Sequence, residues 1–142
     1  MLNGRRVLIV EDETLIAMEL GDLVVDAGGQ VVGPARSNRQ ALALLDRDAV
    51  DVALLDLNLA DGDATPTAQR LIDEGIPVLI CTAGVLPRAM RAAWPHLPVH
   101  SKPVAGGRLI QTLADLSAGS LTGAAEPPPQ AASGAAPTSW RA

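Results

Sequence analysis

The chain has 142 residues and a formal net charge of −5, and 48% of its residues are apolar, so one domain with a real core is expected. The acidic balance argues against nucleic acid as the main partner, because phosphate binding needs a basic face. Cys81 is the single cysteine, which excludes an internal disulfide and a cysteine metal site.

The N-terminal segment and the hydropathy pattern predict where the protein acts. No signal peptide precedes the first predicted strand, and no apolar run approaches the ~20 residues that a membrane span requires. We therefore expect a cytoplasmic protein without a membrane partner. Its acidic composition fits a bacterial source.

Apolar runs of strand length alternate with longer, helix-like stretches along most of the chain. We predict strands at residues 7–10, 31–34, 50–56, 76–82 and 99–101. Helices are predicted at residues 14–27, 37–45, from the turn at 61–63 to about 74, 87–94 and 107–117. This alternation predicts an α/β fold, a doubly wound five-stranded parallel sheet with helices on both faces.

Small polar residues and glycines mark the ends of the predicted helices. Ser37 and Gln40 fit a capping box at the start of the second helix. The glycines at 28–29 follow a helix, and no Gly-Lys-Ser/Thr sequence accompanies them, so they indicate a helix stop and not a phosphate loop. The Asp-Gly-Asp sequence at 61–63 is predicted to form a turn.

The composition changes at residue 119, where Gly, Ala, Ser, Pro and Thr begin to dominate. We predict a folded domain at residues 1–118 and a disordered tail at residues 119–142. The tail is either inert or offers Trp140 as an anchor for a docking contact. Nothing in it resembles a helix-turn-helix segment, so we expect the tail not to bind DNA and the chain to act through protein contacts.

Polar side chains stand at the carboxyl ends of four predicted strands. Glu11 and Asp12 follow the first strand, Asp56 ends the third, Thr82 ends the fourth and Lys102 follows the fifth. Lys102 is the single lysine among 11 basic residues. Because ligands bind at this edge of open α/β sheets, we expect these side chains to lie close together.

Clustered carboxylates at this edge predict a metal site. Carboxylates repel one another unless a cation neutralises them, and an oxygen-only ligand set favours a hard ion such as Mg²⁺. Asp12 and Asp56 would supply two carboxylates. The backbone carbonyl of Asn58 would supply a third oxygen, and Glu11 would act through a bound water.

The same edge could carry a phosphoryl group on Asp56. A carboxylate can be phosphorylated, and the acyl phosphate then needs its charge neutralised on several oxygens. Mg²⁺, the Lys102 ammonium and the Thr82 hydroxyl would do this together. Simpler roles stay open for single residues: Glu11 and Asp12 could cap the first helix, and Thr82 could be an ordinary strand-end threonine.

With these residues in this order, the sequence resembles the receiver domain of two-component response regulators. The resemblance covers roughly residues 4–118. It is carried by the run Val-Leu-Ile-Val-Glu-Asp-Glu at 7–13, by Asp56, by Thr82-Ala83 and by Lys102-Pro103. It implies a flavodoxin-like sheet and a phosphoprotein of a phosphorelay, which signals to a downstream protein partner and is not an enzyme in its own right.

The resemblance also implies a role for each matching residue. Asp56 would accept phosphate from a histidine kinase or a histidine phosphotransfer protein. Glu11 and Asp12 would hold Mg²⁺. Thr82 would turn toward the phosphate, and Lys102 would pair with a phosphate oxygen, aimed by a cis bond to the following proline.

The chain departs from the family at Val99, where most receivers carry Tyr or Phe three residues before the lysine. In the usual switch of the family, the threonine moves toward the phosphate and the aromatic ring follows into the space that it leaves. Valine has too little volume and reach for that movement. We therefore expect activation to work through the loop at 83–87 and the fourth helix, without an aromatic rotamer change.

Two other function classes stay open from the sequence. A phosphatase of the haloacid dehalogenase type also uses an aspartyl phosphate and Mg²⁺, but it needs an aspartate two residues after the nucleophile, where this chain has Asn58. A receiver-like interaction module that is never phosphorylated is kept open by Val99.

Overall fold

Residues 1–119, which a computed structural model describes, alternate between strands and helices as the sequence predicts. The strands are β1 (Arg6–Val10), β2 (Gln30–Ala35), β3 (Val52–Leu55), β4 (Asn58–Leu59), β5 (Gly62–Asp63), β6 (Val78–Thr82) and β7 (Val99–Ser101). The helices are α1 (Thr14–Asp26), α2 (Asn38–Arg47), α3 (Thr65–Asp73), α4 (Arg88–Ala93) and α5 (Gly106–Ser117).

Five of the strands form one parallel sheet in the order β2-β1-β3-β6-β7. The chain moves outward from β1 to β2 and then crosses back to β3 on the other side of β1. The strand order therefore reverses between β1 and β3, and in open α/β sheets the crevice beyond the carboxyl ends at such a reversal binds ligands. The prediction of a doubly wound five-stranded parallel sheet is confirmed.

Each face of the sheet packs against its own set of helices. On one face, strand residues that include Leu8, Leu55 and Ile80 share a core with Leu45 of α2, Leu71 of α3 and Met90 of α4. On the opposite face, strand residues that include Ile9, Leu54 and Leu79 share a core with Val24 of α1 and Leu109 and Leu113 of α5. Strands β3 and β6 are buried along their whole length, as expected for parallel strands covered on both sides.

The predicted stop of α1 and the predicted cap of α2 are confirmed with one change. Gly28 follows α1 with a φ of +86°, a left-handed conformation that favours glycine, so it acts as the helix stop. The Ser37 hydroxyl accepts from the Gln40 amide nitrogen at 3.1 Å and caps α2. The Gln40 side chain, however, accepts at 2.7 Å from the amide of Arg36, one residue earlier than in a standard capping box.

The segment after Asp56 has more structure than the turn that the sequence predicts. The predicted strand 50–56 ends at Leu55, and Asn58 then pairs with Asp63 in a short antiparallel hairpin, β4–β5. Gly62 has a φ of +126°, which favours glycine at this bend. Two-residue strands leave no alternating pattern in a sequence, so the hairpin could not be predicted from periodicity.

The prediction of a disordered tail at residues 119–142, and of a docking role for Trp140, lies outside the described residues apart from Gly119. Within the described part of the chain, none of the helices combines the length and the apolar character that crossing a bilayer requires.

Candidate functional site

Backbone hydrogen bonds across the sheet align the strand ends that carry the polar side chains. The amide of Asp56 donates to the carbonyl of Val10 at 2.9 Å, which sets the end of β3 beside the end of β1. The amide of Lys102 donates to the carbonyl of Thr82, also at 2.9 Å, which sets the end of β7 beside the end of β6. The polar residues at these strand ends therefore meet at one edge of the sheet.

Three carboxylates converge at this edge. One oxygen each of Glu11, Asp12 and Asp56 lies within 4.8 Å of the others. Glu11 is 1% exposed and Asp56 is 8% exposed, while Asp12 is half-buried. So many acidic groups at this depth repel one another, and a cation that binds between them would relieve the repulsion.

Lys102 supplies positive charge inside the acidic cluster. Its Nζ lies 2.9 Å from Glu11 Oε1 and 3.5 Å from Asp56 Oδ1. The other Glu11 oxygen, Oε2, accepts from the backbone amide of Glu13 at 3.2 Å. Both Glu11 oxygens are thus engaged by the protein, and the sequence did not reveal that Glu11 would be the nearer partner of the lysine.

Burial, the Lys102–Glu11 hydrogen bond and the charge of Asp56 set the direction of the pKa values of Glu11 and Lys102. Burial raises the pKa of Glu11 and outweighs the hydrogen bond from Lys102, which acts in the opposite direction. Burial alone would lower the pKa of Lys102, but the hydrogen bond to Glu11 and the charge of Asp56 outweigh it and raise this pKa. The raised pKa of Glu11 thus reflects mainly its burial, and the raised pKa of Lys102 reflects its acidic neighbours.

Thr82 and Asn58 complete the set of residues that the sequence singled out. Thr82 is 1% exposed, and its Oγ1 accepts from the amide of Gly84 at 3.1 Å. Asn58 lies in β4, two residues past Asp56, and its side chain is exposed. The peptide bond between Lys102 and Pro103 is cis, as expected.

His100 contacts α5 rather than the acidic cluster. His100 is in β7, and its Nε2 lies 3.3 Å from the Thr112 hydroxyl of α5. Burial, together with the charge of Arg108, lowers the pKa of His100. Cys81 is a buried core residue, and burial raises its pKa to about 11.

The donor set of the acidic cluster fits a hard divalent cation. Its ligand atoms are carboxylate oxygens, with neither sulfur nor imidazole among them. Mg²⁺ takes one or two protein carboxylates and keeps several waters, so a cluster of this size and exposure suits it.

The family model described as response regulator receiver domain matches residues 7–113. The chain belongs to this receiver family. Receiver domains are signalling domains of two-component systems, and they interact with histidine kinases and with downstream partners. Because the chain belongs to the receiver family, the alternative of a haloacid-dehalogenase-type phosphatase is dropped.

Individual relatives agree with the family assignment. The transcriptional regulatory protein PdtaR of Mycobacterium tuberculosis H37Rv is 32% identical over 80 residues, which are 56% of this chain and 39% of PdtaR. The chain therefore spans about two fifths of the length of that relative. The solution structure of SdrG from Sphingomonas melonis Fr1 is 34% identical with a TM-score of 0.68, covering 82% of this chain and 98% of that chain.

A longer relative is likewise matched over only part of its chain. The crystal structure of the response regulator PhyR from Brucella abortus is 32% identical with a TM-score of 0.66. The match covers 85% of this chain and 52% of PhyR. The receiver fold is thus shared both with a protein of about this length and with part of a longer response regulator.

Proposed function

We propose that this chain is a cytoplasmic response regulator receiver that accepts a phosphoryl group on Asp56 from a phosphohistidine donor. The donor would be a histidine kinase or a histidine phosphotransfer protein, and the receiver unit would be residues 1–118. The observation that carries the proposal is the convergence of Asp56 with two further carboxylates and one lysine at the carboxyl edge of a receiver sheet.

The two oxygens of Asp56 differ in a way that favours attack by one of them. Oδ1 accepts from the amide of Leu57 at 2.9 Å and faces the Lys102 ammonium. Oδ2 accepts no hydrogen bond from any residue in the described part of the chain. In the proposed transfer, Oδ2 forms a bond to phosphorus while the bond from phosphorus to the imidazole nitrogen breaks, and the electron pair stays on that nitrogen.

The acidic cluster would hold Mg²⁺, which supplies charge neutralisation for the phosphoryl oxygens. Asp12 and Asp56 would bind the ion directly, with the backbone carbonyl of Asn58 as a further ligand. Glu11 would act through a bound water, because Lys102 and a backbone amide already engage its two oxygens. The Lys102 ammonium and the Thr82 hydroxyl would then pair with oxygens of the acyl phosphate.

The product is a phosphorylated form of the protein itself, so the chain would act as a phosphoacceptor. Its own chemistry would be limited to accepting the group and hydrolysing the acyl phosphate. The signal would pass to a downstream protein partner through a changed surface, with no part for nucleic acid or membrane.

The proposal predicts that a small phosphodonor can replace the phosphohistidine donor in vitro and that the reaction requires Mg²⁺. Incubation with acetyl phosphate and Mg²⁺ should give one phosphate adduct by intact mass, and an excess of EDTA should prevent it. A folded protein that forms no adduct and binds no beryllofluoride would favour the receiver-like module that is never phosphorylated.

A second prediction concerns how the phosphorylated state reaches the surface. Val99 is 40% exposed on β7 and cannot supply the bulk of an aromatic switch residue. In the unphosphorylated structure, the Thr82 hydroxyl holds the amide of Gly84. When Thr82 turns toward phosphate, that bond breaks and the loop at 83–87 is released.

Beryllofluoride with Mg²⁺ should therefore shift the backbone amide resonances of residues 83–87 and of α4. Thr82→Val, which keeps the shape of the side chain and loses the hydroxyl, should reduce these shifts. Shifts confined to the loop after Asp56 in the unmodified protein would contradict this mechanism.

A further inference from the structure

A buried asparagine joins the start of α2 to the hairpin that follows Asp56. Asn38 is 7% exposed, and its Nδ2 donates to the carbonyl of Asp63 at 2.8 Å and to Asp61 Oδ1 at 3.2 Å. Its Oδ1 accepts from the hydroxyl of Thr67 at 2.6 Å and from the Thr67 amide at 3.3 Å. One side chain thus links α2, the hairpin β4–β5 and the first turns of α3.

Asp61, at the tip of the hairpin, is also hydrogen-bonded to the start of α2. Asp61 Oδ1 accepts from the backbone amide of Asn38 at 2.8 Å, and Oδ2 accepts from the amide of Arg39 at 3.1 Å. The amide of Ala60 donates to the carbonyl of Arg36 at 3.0 Å. The hydrogen bonds from Asn38 and Arg39 lower the pKa of Asp61, because they favour its charged form.

Helix capping alone does not account for this arrangement. The Ser37 hydroxyl already caps α2 by accepting from the Gln40 amide. A buried amide side chain is costly unless it is hydrogen-bonded, and Asn38 directs its bonds away from its own helix, toward the hairpin and Thr67. The side-chain hydrogen bonds of Asn38 therefore fix the position of the hairpin relative to α2.

The hairpin carries the backbone that would complete the metal site. Asn58 pairs with Asp63, whose carbonyl is the one that Asn38 holds. The same chain segment touches the other acid-bearing loop, because Arg36 Nε donates to the carbonyl of Asp12 at 3.3 Å. Residues 36–38 therefore contact both the loop after β1 and the loop after β3.

We propose that Asn38, Thr67 and Asp61 are positioning residues for the Mg²⁺ site, which they serve by fixing the hairpin that presents the Asn58 carbonyl. This inference rests on the proposed function, in which Asn58 is a metal ligand. Outer-shell residues that orient metal ligands change metal affinity on the order of tenfold or more when they are removed.

The test measures metal affinity directly, with Mn²⁺ as a probe followed by electron paramagnetic resonance and Mg²⁺ as its competitor. Asn38→Ala should weaken binding on the order of tenfold. Thr67→Val keeps the shape of a fully buried side chain and loses the hydroxyl that holds Asn38, so it should also weaken binding. Neither substitution alters a charge, so long-range electrostatics could not explain the loss.

Ser37→Ala is the matched control, because it removes a cap of α2 without touching the hairpin. It should lower stability toward urea while leaving the metal dissociation constant at the wild-type value. Excess Mg²⁺ should restore acetyl phosphate labelling of Asn38→Ala, as expected for a positioning defect.

The two proposals fail in different ways. Wild-type affinity in both Asn38→Ala and Thr67→Val, together with clear metal binding by the unmodified chain, would overturn the positioning role alone. Equal weakening in Ser37→Ala would also overturn it, since loss of helix stability would then suffice. A wild-type protein that binds no divalent metal would overturn the proposed function itself.

Discussion

Asp56→Asn should abolish the phosphate adduct that acetyl phosphate and Mg²⁺ form on the wild-type chain. The asparagine oxygen can still accept from the Leu57 amide, so the local fold is kept. An amide is a poor nucleophile and does not form the acyl phosphate, so no adduct should be detectable by intact mass.

Urea unfolding of Asp56→Asn tells whether a missing adduct reflects the lost nucleophile or an unfolded protein. Asp56→Asn removes one of three clustered carboxylates, so in Mg²⁺-free buffer the variant should resist urea at least as well as the wild type. Asp22→Asn, at an exposed position of α1, is the matched control and should label normally. A full adduct on Asp56→Asn would place the acceptor elsewhere.

Lys102→Arg should keep the positive charge and still uncouple phosphorylation from the change at the surface. The compact ammonium lies 2.9 Å from Glu11 and 3.5 Å from Asp56, and the Lys102 side chain is only 21% exposed. A planar guanidinium is larger and donates in a fixed fork, so it cannot occupy the same point between two carboxylates.

Lys102→Arg should still form the phosphate adduct. Beryllofluoride with Mg²⁺ should, however, no longer produce most of the changes in amide resonances at residues 83–87 and in α4. Arg108→Lys, the reverse exchange on the exposed face of α5, should behave like the wild type. Lys102→Met removes the charge and leaves Glu11 buried without its partner, so it should lose about 1–3 kcal/mol in urea unfolding. Normal signalling by Lys102→Arg would contradict the special role given to the ammonium.

The strands and helices were largely predictable because their signals are local. Strand β6 is buried at every position and is apolar up to Thr82, its last residue, so length and composition were enough to place it. The start of α2 was predictable because Ser37 and Gln40 satisfy free amides within one turn. The β4–β5 hairpin was missed because its short strands have no period to detect.

The convergence of Glu11, Asp12, Asp56 and Lys102 was predictable, and the contacts among them were not. Parallel strands all end at the same edge of a sheet, so Glu11, Asp56 and Lys102 had to approach one another once β1, β3 and β7 were recognised. Which carboxylate would lie nearest the lysine depends on side-chain reach and sheet geometry. The role of Asn38 left no signal either, because a lone asparagine at a helix start usually indicates an ordinary cap.

The sequence by itself determined the alternation of strands and helices and the set of polar side chains at the strand ends, because both follow from local periodicity and chain direction. Only the tertiary structure decided the pairing of Lys102 with Glu11, which lie 91 positions apart, and the bonds from Asn38 to the hairpin. Such contacts depend on where separate elements come to rest when both faces of the sheet are packed. A difference of about an ångström then determines which groups meet.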